Sequence, residues 1–267
     1  MQTLSTDTQT DLIRVANALA DAARDAVLPF FRSSDLTADN KLSEGFDPVT
    51  EGDRAAEKAM RSLLAELRPE DGIFGEEFGA KEGSSGLTWV LDPIDGTRGF
   101  MSGTPTWGVL IAVGPETGPA LGIIDQPYIK ERFLGGFGEA WVEGPMGRRD
   151  LKTRATSDLS DAILFTTFPE VGTAEEAAAF HAVARQAKLT RYGMDCYAYG
   201  LVAAGQVDMV IEAGLQSYDV QAPIAVIEAA GGIMTDWQGG PVHQGGRVVA
   251  AANAELHAQA LEVLSKV

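Results

Sequence analysis

Two aspartates three residues apart, Asp92 and Asp95, close an apolar run in the segment TWVLDPIDGTRGF, residues 88–100. Carboxylates held that close repel one another, and each disfavours ionisation of its neighbour. Pro93 fixes its own φ and keeps Asp92 extended. The bend that follows turns both carboxylates and the Ile94 carbonyl to one side. Gly96 permits positive φ or close backbone approach, and the N–H groups of Gly96 and Thr97 can form an anion cradle. Two carboxylates, a carbonyl and an amide nest suit a hard divalent cation that shares its ligands with a phosphate ester. Taken alone, the same residues also serve as a strand-to-turn junction with an Asx turn. The segment is not an EF-hand loop, because the twelfth position from Asp92 is Gly103 rather than Glu. It also lacks the Asp-x-Asp spacing of a phosphorylated aspartate.

Three further segments carry acids at places that could face the same site. FGEEFG sets Glu76 and Glu77 at the end of a strand, bracketed by glycines; it reads equally as a surface charge pair. KLSEGFDPVTEGD carries Lys41, Asp47, Thr50 and Asp53 ahead of a helix, where Thr50 and Asp53 alone would pass as an N-cap and a first-turn acid. IEAGLQSYDVQAP offers Glu212 and, at the start of a helix, Asp219. Other phosphatase chemistries find no support. Cys196 is followed by Val202 where a cysteine-phosphatase loop needs Arg, and His181, His243 and His257 are scattered.

The elements that must position these residues follow from periodicity. Apolar residues from Leu12 to Val27 predict a helix over 8–29, and Ala56, Met60, Leu63 and Leu64 predict a second over 53–67. Six short strands follow as GIFGEE, TWVLD, WGVLIAVG, ALGIIDQ, RFLGGF and EAWVEG, which predicts a mostly antiparallel sheet. Beyond about residue 156 strands and helices alternate: AILFTTF, TAEEAAAFHAVARQA, LTRYG, CYAYGLVAAG, VDMVIEA, QAPIAVIEAAGG, RVVAAAN and ELHAQALEVL. The expected organisation is an α+β half over 1–155 carrying most of the acids and an α/β half over 156–267 completing the site. No linker rich in Pro, Ser or charge separates them.

Composition narrows the partners. The 267 residues carry a net charge of −17, which leaves no basic surplus for nucleic acid or an anionic membrane. An anionic substrate would then need a bound cation to attract it. A single cysteine excludes an internal disulfide and a Cys-rich zinc site. The opening segment has neither the basic region nor the apolar core of a secretory signal, so a cytoplasmic location is expected.

Taken together, Glu-Glu after a glycine, Asp-Pro-Ile-Asp-Gly-Thr, and a distant aromatic-Asp ahead of a helix resemble the inositol monophosphatase family, from about Lys41 to Gly232. The resemblance implies a layered αβαβα sandwich, a homodimer and two to three Mg²⁺ ions per site. Glu76, Asp92 and the Ile94 carbonyl would hold one ion, and Asp92, Asp95 and Asp219 a second; Glu76 would help hold a third. Thr97 and Asp47 would orient and deprotonate the attacking water, with Glu76 counted among the catalytic groups. Gly96 and Thr97 would hold the phosphate. Glu77, pointing the other way along the strand, falls outside the ligand set.

Arg98, the TRYGMDCYAYG segment with Arg191 and Asp195, and GIIDQPYIKERFLG look like the histidinol-phosphate phosphatase branch. The YDVQAP run departs from the more common Trp-Asp-x-Ala-Ala-Gly pattern, which argues against an inositol pocket. A cationic alcohol also suits the acids: Asp195 and Glu212 could pair with its ammonium, and Arg98 and Arg191 could contact phosphate or fix those acids. Arg191 and Asp195 equally suit a structural ion pair. The expected substrate is L-histidinol phosphate, with inositol monophosphate or another small sugar or nucleotide phosphate as the alternative. A silent binding protein that keeps only the fold would have lost a metal ligand or Thr97, and none is missing.

Overall fold

Leu12, Val15, Ala16, Leu19, Ala20, Ala23 and Val27 share one face of the first helix, and all are buried against the first sheet and the second helix. The computed structural model describes residues 4–33, 38–40 and 48–266. Its first elements are α1 (Thr6–Val27), β1 (Ala38–Asn40), β2 (Pro48–Thr50), α2 (Glu51–Leu67), β3 (Gly72–Gly75) and β4 (Gly79–Lys81). Next come β5 (Thr88–Asp95), α3 (Thr97–Ser102), β6 (Gly108–Gly114), β7 (Leu121–Gln126), β8 (Glu131–Gly136), β9 (Glu139–Gly144) and β10 (Gly147–Asp150). The chain ends with β11 (Ile163–Thr166), α4 (Ala174–Ala184), β12 (Leu189–Tyr192), α5 (Tyr197–Ala203) and β13 (Met209–Gln216). After these stand α6 (Ser217–Ala229), β14 (Ile233–Thr235), β15 (Gly245–Ala251) and α7 (Ala254–Leu264).

One sheet runs β10-β9-β8-β7-β6-β5-β3-β4 and is antiparallel except where β3 lies parallel to β5. The second runs β12-β11-β13-β15-β14, parallel across its first three strands and antiparallel at β15. Helices α1 and α2 cover the outer face of the first sheet. Helices α5 and α6 lie between the sheets, where Phe133, Val142 and Leu110 meet Val202, Val220 and Ile227 in one apolar layer. Helices α4 and α7 close the far side around Phe180, Leu256 and Trp237. The result is an αβαβα sandwich of two mixed sheets.

Most predicted elements form within a few residues of their expected bounds. Helix α6 begins at Ser217 rather than Gln221, with Pro223 inside it. Short strands β4, β10 and β14 went unpredicted, since three or four residues carry too little period-2 signal. Among the described residues no helix is long and apolar enough to cross a membrane.

Candidate active site

Strand β5 pairs with β6 at Asp92↔Leu110 and again at Asp95↔Gly108, so one strand carries an extra residue between the two aspartates. That bulge accommodates Pro93, which has no N–H for a regular ladder. Ile94 N donates to Asp92 Oδ1 at 3.0 Å, and Thr97 Oγ1 donates to the Ile94 carbonyl at 3.2 Å. Gly96 then takes φ 83°, and a Cβ there would stand 2.8 Å from Asp195, so glycine is required on both counts. The expected turning of both carboxylates to one side is therefore a bulge locked by its own side chains.

Asp219 joins them from the other half. Ligand atoms of Asp92, Asp95 and Asp219 lie within 4.8 Å of one another. Asp219 Oδ2 accepts from Gln216 N at 2.6 Å, capping α6, while its carboxylate also meets Asp92. Burial, then the neighbouring acids Glu76, Asp95 and Asp219, pushes Asp92 well above the ordinary carboxylate range. Asp95 is raised by burial and by Asp219 and Asp195, against a 2.6 Å hydrogen bond from Cys196 N. Burial carries Asp219 to about 7.

A second trio, Asp53, Glu76 and Glu77, also places its ligand atoms within 4.8 Å. Asp53 is buried, and its Oδ2 accepts from Thr50 N at 2.8 Å and Thr50 Oγ1 at 2.5 Å. Its Oδ1 is buried with no hydrogen-bond partner. Burial chiefly lifts Asp53 to about 7, with Glu76 and Glu77 adding to the rise. By sequence alone Asp53 would pass as a first-turn acid, and the resemblance implies Asp47 as the base. Asp47 lies outside the described residues, and the carboxylate brought beside Glu76 is Asp53. The capping box is real, but it uses only one of the two oxygens. Glu77, expected to point away, sits within this trio because β3 ends at Gly75 and the strand alternation stops before it.

Glu76, Asp92, Asp95 and Asp219 line a cleft of about 610 Å³ together with Asp195, Glu212 and Phe168. Asp195 adopts φ 45° and accepts from Thr106 Oγ1 at 3.3 Å. Burial and then Glu212 raise it to about 6, opposed by Thr106 and Arg98. Glu212 accepts from Thr167 N at 2.8 Å, Thr167 Oγ1 at 2.5 Å and Tyr199 OH at 2.7 Å. The Arg98 guanidinium lies 4.8 Å from the centre of the Phe168 ring. Arg191 departs from expectation: it is exposed on the edge strand β12 and does not line the cleft. Among the described residues no ion pair joins it to Asp195, because Gly193 at φ 79° and Asp195 at φ 45° turn the chain back toward α3. Arg98 is the guanidinium that acts on Asp195.

The donors are all hard oxygens, and several acids are raised by one another's charge. Such a set fits a divalent cation and not a soft-ligand metal. A family model described as the inositol monophosphatase family matches residues 8–267. The chain belongs to the inositol monophosphatase family. It is a phosphatase of that metal-dependent family, a phosphoric monoester hydrolase. It is 42% identical to the bifunctional phosphatase IMPL2, chloroplastic, of Arabidopsis thaliana, over 97% of this chain and 76% of that one. A histidinol-phosphatase of Streptomyces coelicolor is 34% identical over 96% and 97% of the two chains. The solved structure of an inositol monophosphatase from Zymomonas mobilis superposes with a TM-score of 0.86 at 41% identity, covering 98% of this chain and 100% of that one.

Proposed function

We propose that this family member hydrolyses L-histidinol phosphate to L-histidinol and phosphate with Mg²⁺ bound, serving histidine biosynthesis. The observation that carries the substrate choice is the carboxylate of Asp195 seated against Gly96, with Glu212 beside it. Gly96 and Thr97 offer the N–H groups for phosphate, so an acid in contact with Gly96 faces the first carbons of the alcohol. Histidinol phosphate carries its ammonium on the carbon next to the ester carbon, within reach of that acid. An inositol ring brings only hydroxyls to these two carboxylates. The Streptomyces relative's name supports the same reading.

Glu76, Asp92, Asp95, Asp219 and the Ile94 carbonyl would hold the cations. Bound there, they would polarise the phosphate, lower the pKa of water and steady the leaving oxygen. Thr97 Oγ1 orients the attacking water. Asp47, the base that the family resemblance pairs with Thr97, takes the proton. Water oxygen bonds to phosphorus as the ester P–O bond breaks, and the departing alkoxide regains a proton from solvent.

A panel of phosphomonoesters assayed with Mg²⁺ tests the reading. Histidinol phosphate should show the highest kcat/KM. A preference for inositol 1-phosphate, in line with the name of the Zymomonas structure, would overturn the substrate while leaving the reaction class.

A further inference from the structure

Glu57 is wholly buried, charged, and absent from the chemistry above. It stands one helical turn beyond Asp53 on α2, and Arg61 one turn beyond that, so the three share a face at i, i+4 and i+8. Glu57 Oε2 accepts from Glu77 N at 2.7 Å, and its Oε1 accepts from Phe78 N at 3.2 Å. Arg61 Nε donates to Glu57 Oε1 at 2.7 Å, and Arg61 also donates to the Gly79 carbonyl. The N–H just before these, that of Glu76, donates to the Leu91 carbonyl of β5 at 3.2 Å. The turn from β3 to β4 is thus held at each residue from 76 to 79. A Cβ at position 75 would fall 2.0 Å from Glu57 Oε1, which explains the glycine ahead of the Glu-Glu pair.

We propose that Glu57, backed by Arg61, is the positioning residue of the Glu76–Glu77 turn and sets how tightly the site holds its cation without touching cation or substrate. A buried charge is costly unless its lone pairs are engaged, and here they are spent on main-chain donors beside Glu76 and Glu77. Packing alone would be served by an apolar residue. The carboxylate instead fixes where two acids leave the backbone, and α2 carries the third acid of that trio, Asp53. Helix and turn are coupled as one unit. Outer partners of this kind commonly govern affinity by about 10–100-fold.

This inference rests on the reading of Glu76 as a cation ligand, and the experiment separates the two. Mg²⁺ alone is titrated calorimetrically into wild type, Glu57→Gln, Arg61→Lys and Asp71→Asn, with thermal unfolding measured for each. Asp71 supplies the comparison: it is equally buried and bonded to Arg68 and Trp89, but touches no residue of the turn. The amide of Glu57→Gln turns an N–H toward a donor, so Mg²⁺ binding should weaken about 10–100-fold. Half-maximal activity should require correspondingly more Mg²⁺, with kcat nearly restored at saturation. Asp71→Asn should lower Tm and leave Mg²⁺ affinity within about twofold of wild type. If Glu57→Gln does not fold, Arg61→Lys, which keeps the charge and loses the fork, should show the same loss in smaller measure. Unchanged Mg²⁺ affinity in a folded Glu57→Gln, or in Arg61→Lys where Glu57→Gln fails, would overturn the positioning role. Wild type that binds no Mg²⁺ would instead overturn the cation reading beneath it.

Discussion

In the cleft, Asp92, Ile94, Asp95 and Thr97 come from six consecutive residues, whereas Thr167, Asp195 and Glu212 come from three separate segments farther along the chain. The first group is fixed by a single bulge whose Asx bond, proline and left-handed glycine lie within the motif itself. The second is assembled by tertiary contacts: Thr167 bonds Glu212, and Asp195 sits against Gly96. A local motif of the first kind belongs to a reaction, and it can be kept while the tertiary group is altered to suit the alcohol. We therefore assign phosphate chemistry to the first group and substrate choice to the second.

If that division is right, damage to the first group should strike every substrate alike. The largest effect expected is complete: a chelator should abolish activity on all phosphomonoesters, and Mg²⁺ should restore it. Full turnover by metal-free enzyme would break the assignment. Next comes Asp95→Asn, which keeps size and the bond from Cys196 N but removes one charge from the buried trio. Turnover should fall well beyond the ~10–100-fold typical of an outer partner. Unfolding of the metal-free variant should occur at no lower temperature than wild type, since a buried like-charge repulsion is relieved. Native turnover in this variant would contradict the role of Asp95.

Thr97→Ala should lower kcat by about 10²–10⁴-fold, the range for a positioned proton-transfer group. Calorimetric Mg²⁺ affinity should stay near wild type. Weakened metal binding with unchanged kcat would place Thr97 elsewhere in the mechanism.

The smallest effect should come from the second group alone. Asp195 titrates near 6, so it loses its charge as pH falls from 7.5 to 5 and regains it on return. The kcat/KM for an amine-bearing substrate should then drop relative to that for a neutral alcohol phosphate. Taking the ratio cancels the titration that the two phosphates share. A pH-independent ratio would remove Asp195 from amine recognition.

The same contrast explains what the sequence made legible. The meeting of Asp92 and Asp95 was readable because residue type, spacing and the backbone demands of Pro93 and Gly96 agree within one segment. The place of Asp53 beside Glu76 was not, because a first-turn acid after Thr50 is what any capped helix would show, and only the fold reveals that one oxygen is left over. Asp219 does the same at the start of α6, capping Gln216 N while meeting Asp92, but the aromatic ahead of it gave a further signal. Strand and helix alternation was legible along the chain, while the layered arrangement was implied by the family resemblance. Arg191 was misjudged because four residues along the chain said nothing of the two left-handed residues that separate it from the pocket. Glu57 gave no signal of its own beyond its i+4 spacing from Asp53.

One measurement tests the division directly: the ratio of kcat/KM for histidinol phosphate to that for a neutral phosphomonoester, taken in wild type, Thr97→Ala and Asp195→Ala. Losing one charge-assisted hydrogen bond costs about 1.5–3 kcal/mol, or roughly 10–150-fold. Asp195→Ala should cut the ratio by that factor, while Thr97→Ala slows both substrates and leaves the ratio within about twofold. A ratio that moves in Thr97→Ala, or that stays fixed because Asp195→Ala weakens both substrates equally, would contradict the separation of chemistry from substrate choice.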